Sequence, residues 1–209
     1  MSQKTKAKIL ATAEVLFAKQ GFTHTSMRMI TEQAGVNLAA VNYHFGSKKN
    51  LIQAVFKFYL DLVIPQMDVH LKQLASMDAA KVEDVIRCIV EPLESIENYR
   101  PLGTATFVQL LGRGYSETQG HLRSFILGTY GETLSALMAQ FRRSLPKVSN
   151  EELFWRLHFA LGSFVFSMSS SQALLEIAEA DFNASPSFHP LTERLAKFVT
   201  AGIAGEFNA

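Results

Sequence analysis

Residues 30–49 read ITEQAGVNLAAVNYHFGSKK, and how this stretch is interpreted decides the fold. Ala34-Gly35-Val36-Asn37 is a turn: Gly35 can take the positive φ needed just after a helix, and the Asn37 side-chain oxygen can cap the helix that follows. A helix over 38–45 places Val41 and Phe45, four residues apart, on one inward face and leaves Asn42, Tyr43 and His44 to point elsewhere. Asparagine can bond an adenine edge in two places, tyrosine and histidine can bond phosphate oxygens, and a phenol ring can rest on a thymine methyl. Ser47 is the expected cap of the next helix, and Lys48 and Lys49 behind it add positive charge beside backbone N–H groups that favour phosphate. Together these features describe a helix-turn-helix whose second helix enters the major groove of DNA. The competing reading makes Tyr43 and His44 part-buried residues of an ordinary helical corner. It accounts for each residue singly, but not for the turn, the polar face and the lysines together.

Charge points the same way. Residues 1–60 hold eight basic side chains and two acidic ones, a net of +6, whereas the rest hold twelve basic and seventeen acidic, a net of −5. A basic front end on an acidic body implies a polyanionic partner for the front end alone. The 209 residues, 48% of them apolar, suffice for a buried core without staples, and Cys88, the one cysteine, permits no internal disulfide. Set between Ile86 and Ile89, Cys88 reads as a small core residue. No leader-like segment opens the chain. The most apolar stretch, 153–168, is interrupted by Arg156 and His158 and is short of the roughly 20 apolar residues a spanning helix needs. A cytoplasmic protein without membrane association is expected.

Outward from the turn, apolar periodicity predicts helices only. Residues 2–20 form the first, striped by Ile9, Leu10, Ala13, Leu16 and Phe17 and ended by Gly21. Thr25 and Ser26 are caps for the second, with Arg28 near its start facing out towards a phosphate or a guanine edge. A long fourth helix runs from Lys48 towards Ser76 and contains Pro65. A fifth covers 82–93, a short one 105–111, and a long one 119–143 behind Ser116-Glu117-Thr118-Gln119, which has the pattern of a capping box. Ser149-Asn150-Glu151-Glu152 is a second such box, opening an eighth helix that is apolar on nearly every side; 181–190 is a loop, and a last helix follows. Gly120, Gly128, Gly131 and Gly202 are expected to let helices approach closely. The fold class is all-α, about nine helices: a three-helix helix-turn-helix domain over 1–50 and a larger helical domain over 51–209.

The segments ILATAEVLFAKQGF, TSMRMITEQAGV and NYHFGSKKNLI, within residues 7–56, resemble the N-terminal DNA-binding domain of the TetR family of bacterial regulators. ELFWRLHFALGSFVFSMS, together with NLAAVNYHFGSKK, resembles the PsrA-like, fatty-acid-responsive subgroup of that family. The resemblance implies a homodimer formed through the last two long helices, an inducer pocket among the middle helices, and a partly palindromic double-stranded operator. The DNA-contacting residues it and the motif nominate are Thr25, Ser26, Arg28, Asn37, Leu38, Ala39, Ala40, Asn42, Tyr43, His44 and Lys48. Many relatives carry a basic or polar residue at the position of Leu38 and an aromatic one at that of Asn42. With Leu38, Ala39 and Ala40 instead, direct readout here relies on few hydrogen bonds and on methyl contacts.

Sixteen phenylalanines, seven methionines and few charges in the middle helices suit a long apolar inducer such as a fatty acid or its acyl-CoA. The carboxylate or phosphate head needs a partner, because a buried unpaired charge is prohibitively costly. Arg113, His121, Arg156 and His158 are the candidate anchors, with Phe164 and Met168 against the chain. Each also suits a structural or surface role. One alternative is a repressor of drug-efflux genes responding to apolar cations. A remote one is a helical enzyme acting on lipids or acyl-CoA, against which stands the lack of any nucleophile, base and orienter at matched spacing. Gly112-Arg113-Gly114 follows no strand and suggests no nucleotide, and no metal-ligand cluster is visible, so no cofactor is expected.

Overall fold

The structure is a computed structural model that describes residues 3–117, 120–183 and 188–205, the side chains of 188–190 excepted. Its elements are α1 (Gln3–His24), α2 (Met27–Ala34), α3 (Leu38–Phe45), α4 (Lys48–Ala75), α5 (Val82–Glu94), a 3-10 turn (Ser95–Asn98), α6 (Gly103–Ser116), α7 (Gly120–Ser144), α8 (Asn150–Ser169), α9 (Ser171–Phe182) and α10 (Phe188–Ala204). Among the described residues there is no strand, and the all-α expectation holds.

Among the described residues ten α-helices stand where about nine were expected, because the chain breaks once more, at Ser170, before the last helix. Ser170, at φ −106° and ψ 11°, leaves the helical path for a single residue, and α9 starts at once behind it. Asn183 then closes α9 in the left-handed conformation at φ 48°, which asparagine tolerates better than most residues. The expected loop over 181–190 is therefore shorter, since α9 reaches Phe182 and α10 begins at Phe188; residues 184–187 lie outside the described residues. Helix α6 is also longer than the 105–111 expected. Its glycines are tolerated because the helix is closely packed there: a Cβ on Gly114 would meet Leu122 Cδ2 at 3.3 Å and Phe56 Cζ at 3.6 Å. By contrast, among the described residues nothing lies within 4 Å of a Cβ at Gly120, Gly128, Gly131 or Gly202, so there these glycines do not bring helices together.

The chain divides into two compact units, Met1–Leu62 with Thr106–Thr129, and Val63–Ala105 with Tyr130–Ala209. In the first, α1 packs on α2 and α3. Ile9, Ala13, Phe17, Phe22, Ile30, Ala34 and Val41 are sealed from solvent, and each large side chain among them contributes about 2 kcal/mol of burial. Phe17 meets Phe22 edge-on at 5.3 Å, and Tyr59 stacks on Phe107 at 4.8 Å. In the second unit α10 packs against α5 and α8 over Val85, Ile86, Leu153, Leu195, Val199 and Ile203. The Thr192 hydroxyl donates to Glu94 there. Cys88 is buried as expected, and burial, with Glu91 and Asp84 adding to it, pushes its thiol pKa up and away from reactivity.

Candidate nucleic-acid interface

The corner between α2 and α3 is built by local chemistry at each helix end. Ser26 is the N-cap of α2, its hydroxyl accepting from Met29 N at 3.1 Å. Gly35, at φ 58° and ψ 42°, closes the helix, and Val36 N returns to Thr31 O at 3.0 Å, so the last carbonyls are satisfied as the chain reverses. Asn37 Oδ1 then accepts from Ala40 N at 2.8 Å and starts α3. Beyond α3, Gly46 at φ 72° and the Ser47 hydroxyl, which accepts from Asn50 N at 3.1 Å, do the same for α4.

This geometry sorts the nominated residues. On α3, Leu38, Ala39, Asn42 and Tyr43 face solvent, Tyr43 at 71% exposure, while Ala40, Val41 and Phe45 are buried. Ala40 is thus corrected: its methyl belongs to the core behind the helix. His44 is half-buried between Tyr43 and Phe45, with ring centroids 5.2 Å and 6.3 Å away, and its Nε2 is closed off from solvent, so it does not stand open to a phosphate. Thr25 is corrected as well. It is fully buried and its hydroxyl donates to Gly21 O at 2.7 Å, so Ser26 alone caps α2 and Thr25 props the preceding turn.

Arg28 is exposed and pairs with Glu32 at 2.9 Å. An exposed pair spaced i,i+4 contributes only about 0.3–0.5 kcal/mol, so a phosphate can displace Glu32 cheaply. Lys48 is half-buried, and burial lowers its pKa while Glu117 pulls it back up; Lys49 beside it is exposed. Ser26, Arg28, Asn37, Leu38, Ala39, Asn42 and Tyr43 therefore remain as solvent-facing members of the nominated set.

The residues nominated for the inducer fall in two compact units. Arg113 and His121 belong to the first compact unit, and Arg156, His158, Phe164 and Met168 to the second. Arg113 donates to Lys19 O at 3.3 Å, at the far end of α1. His121 is half-buried with Nδ1 shielded and unpartnered, and burial, then the charge of Lys49, lowers its pKa. His158 Nδ1 bonds Phe154 O at 2.7 Å. Phe164 is half-buried and Met168 fully buried.

Arg156 is a correction to the anchor reading. Only 8% exposed, it pairs with Glu152 at 2.8 Å and donates to Ile203 O at 2.8 Å and Gly205 O at 2.7 Å. It therefore caps the C-terminal end of α10, where a cation also complements the helix dipole. Arg156→Leu leaves those carbonyls without their donor and is expected to cost about 3 kcal/mol of stability, read as a lowered denaturation midpoint in urea. A groove of about 320 Å³ runs between α8 and α10, lined by Phe159, Ala160, Phe198 and Gly202 with Arg156 among them, but not by His158, Phe164 or Met168. Among the described residues, no three His, Cys, Asp or Glu side chains are grouped to hold a metal, and no helix is long and apolar enough to cross a membrane.

The sequence reading missed Glu117. Taken as part of a capping box for α7, it instead accepts from Phe22 N at 3.0 Å and from Thr23 N and Oγ1 at 2.6 Å and 2.7 Å. Of the rest of that box, Ser116 is corrected too, being the last residue of α6 with its hydroxyl donating to Arg113 O at 3.4 Å, and residues 118 and 119 lie outside the described residues. Only the break at Gly21, which frees those N–H groups, hinted that a partner was needed.

A three-helix head with a helix-turn-helix, continued among the described residues by helices alone, defines a class of fold. The chain belongs to the TetR family: residues 9–55 match the model for bacterial regulatory proteins of the tetR family, and residues 87–202, more than half of the chain, match that for a tetracyclin repressor-like C-terminal domain. Over 60 residues it is 42% identical to a probable HTH-type transcriptional regulator, YttP, of Bacillus subtilis (strain 168), a match covering 28% of this chain and 29% of that relative. The chain thus spans under a third of the length of the curated relatives it matches first. Two solved structures are similar over nearly all of it. One is FadR, a transcriptional regulator from Bacillus subtilis in complex with stearoyl-CoA, with TM-score 0.58, 15% identity, and 95% of this chain and 99% of that one covered. The other is NalD, the secondary repressor of the MexAB-OprM multidrug efflux pump in Pseudomonas aeruginosa, with TM-score 0.57, 19% identity, and 96% and 95% covered. At such identities the likeness is one of fold.

Proposed function

We propose that the protein is a DNA-binding transcriptional regulator, a cytoplasmic homodimer that represses its target genes until a long-chain fatty acid or acyl-CoA releases it from the operator. One observation carries the DNA-binding part: α3 buries Ala40, Val41 and Phe45 and turns Leu38, Ala39, Asn42 and Tyr43 outward. A helix needs no such exposed face to hold the corner together, and a hydrogen-bonding amide, a phenol and two apolar side chains suit base edges and thymine methyls. Ser26, Arg28, Asn37 and the lysines that open α4 supply phosphate contacts around it. In this reading residues 1–50 bind DNA, and residues 51–209 bind the inducer and the second subunit. Two heads related by a dyad read half-sites about one helical turn apart.

The inducer is argued from composition and from the PsrA-like segments. The fold alone does not choose, since FadR and NalD are matched equally well. Arg113 and Arg156 already bond main-chain carbonyls, which favours a ligand whose charged head stays in water, as an acyl-CoA allows, over a carboxylate buried whole. Ligand bound among the middle helices favours a pose of α4 that changes the separation of the heads. A preference of about 1–3 kcal/mol for that pose weakens DNA binding roughly 5- to 150-fold.

The test is to titrate oleate and oleoyl-CoA separately into the protein–DNA complex and follow release by fluorescence anisotropy. Release by oleoyl-CoA at lower concentration than by oleate is the expected result. Release by neither retires the lipid reading, and release by an apolar cation in their place establishes the efflux-type alternative.

A further inference from the structure

Helix α1 does not end cleanly. Gly21, at φ 85° and ψ 169°, breaks it and leaves the N–H groups of Phe22 and Thr23 without their helical acceptors. Glu117, directly after α6, takes both of them and the Thr23 hydroxyl as well. One helical turn earlier on α6, Arg113 donates to the carbonyl of Lys19 on the other side of the break. Arg113 on α6 and Glu117 just after it thus hold acceptor and donor groups that the break in α1 exposes. The fit is close: a Cβ on Gly21 would come within 2.3 Å of Glu117 Oε1. Burial opposes charge on Glu117, but the bonds from Thr23 and Phe22, with Arg113 nearby, reverse this and hold its carboxyl below the usual value. The clasped segment leads directly into buried Thr25 and the α2 cap Ser26, so it is the strap that delivers the helix-turn-helix.

We propose that Glu117 is a positioning residue for the reading head: with Arg113 it fixes the angle between α6 and the α1–α3 head, and so sets the half-site spacing that the dimer accepts. This rests on the DNA-binding, dimeric reading above. A dimer with pinned heads rejects altered spacing, because one inserted base pair displaces a half-site by roughly 3.4 Å and turns it by roughly 35°. Heads on a loosened strap adapt to it.

The experiment starts by selecting an operator from random duplex DNA with the full-length wild-type protein. Affinities of wild type, Glu117→Gln and Thr23→Val are then measured on that operator and on a version with one base pair inserted at its centre. Thr23→Val removes one of the three donors while keeping shape, so it serves if Glu117→Gln folds poorly. The wild type is expected to lose about 30-fold on the inserted site and the variants about 5-fold or less, within the range of site-to-site coupling. An unchanged ratio in both variants, even with weaker binding overall, overturns the role of Glu117 and leaves the function standing. Failure of the wild type to enrich any twofold sequence overturns the functional reading and this proposal together.

Discussion

Replacing Tyr43 with alanine lowers operator affinity about 30-fold and leaves the thermal midpoint almost unmoved, because a lost base contact costs roughly 1–3 kcal/mol whereas a surface truncation costs under about 0.5 kcal/mol. The asymmetry follows from where the ring sits. Tyr43 is 71% exposed on α3, and its intramolecular ring neighbour is His44, edge-on at 5.2 Å. Nothing in the core of the first unit depends on it; Val41 and Phe45 fill that role. Salt separates the two contacts the ring can make. Binding by two basic heads making about six phosphate contacts falls roughly a thousandfold between 50 and 200 mM salt. Tyr43→Ala leaves that slope unchanged if the phenol rests on a base, and reduces it by about one if the hydroxyl bonds a phosphate. Equal affinity of wild type and variant, or indifference to salt, would show that α3 is not the reading helix.

The fold could be read from the sequence wherever an element is closed by its own neighbours. The bounds of α3 agree with the expected 38–45 because Asn37 caps one end from three residues away and Gly46 ends the other. Ser47 and Ser149 start α4 and α8 in the same way. The failures share the opposite property. Thr25 and Ser26 are equivalent caps on local grounds, and only the buried turn beneath Phe22 draws the Thr25 hydroxyl inward. Ala40 carries no polar mark to say which way its methyl points. Arg113 and Arg156 read as candidate anchors, and Glu117 as part of a local capping box, because their main-chain partners stand far away in sequence, at Lys19, at Ile203 and Gly205, and at Phe22 and Thr23. A charge satisfied by distant main chain looks the same in sequence as one awaiting a ligand. That is why the DNA face was more legible than the inducer site.

Glutamate at both Phe159 and Phe198 is expected to give a monomer at micromolar concentration, read by light scattering, and to reduce operator affinity by roughly a hundredfold or more as the second head loses its tether to the first. Trp155, Phe159, Gly162 and Phe166 recur at spacings of four, three and four on α8, which places them along one side of that helix. The three aromatic residues are 49%, 68% and 62% exposed, and Phe198 on α10, which packs against α8, is 69% exposed. Single exposed apolar residues need no explanation, but aromatic rings gathered on two packed helices beside a groove do, and a second copy of the chain is their commonest cover. Gly202 lines that groove with open space above it, which suits close approach by a helix from outside the chain. Under twofold symmetry each introduced carboxylate is duplicated across the interface, so repulsion and desolvation act together. The rings are exposed in the single chain, so far-ultraviolet circular dichroism should stay that of a folded helical protein. Val69→Glu, at a 52% exposed position on α4, is the matching control and should remain dimeric. A dimer that survives the double substitution would move the interface away from α8 and α10, and would leave the operator's symmetry without its structural cause.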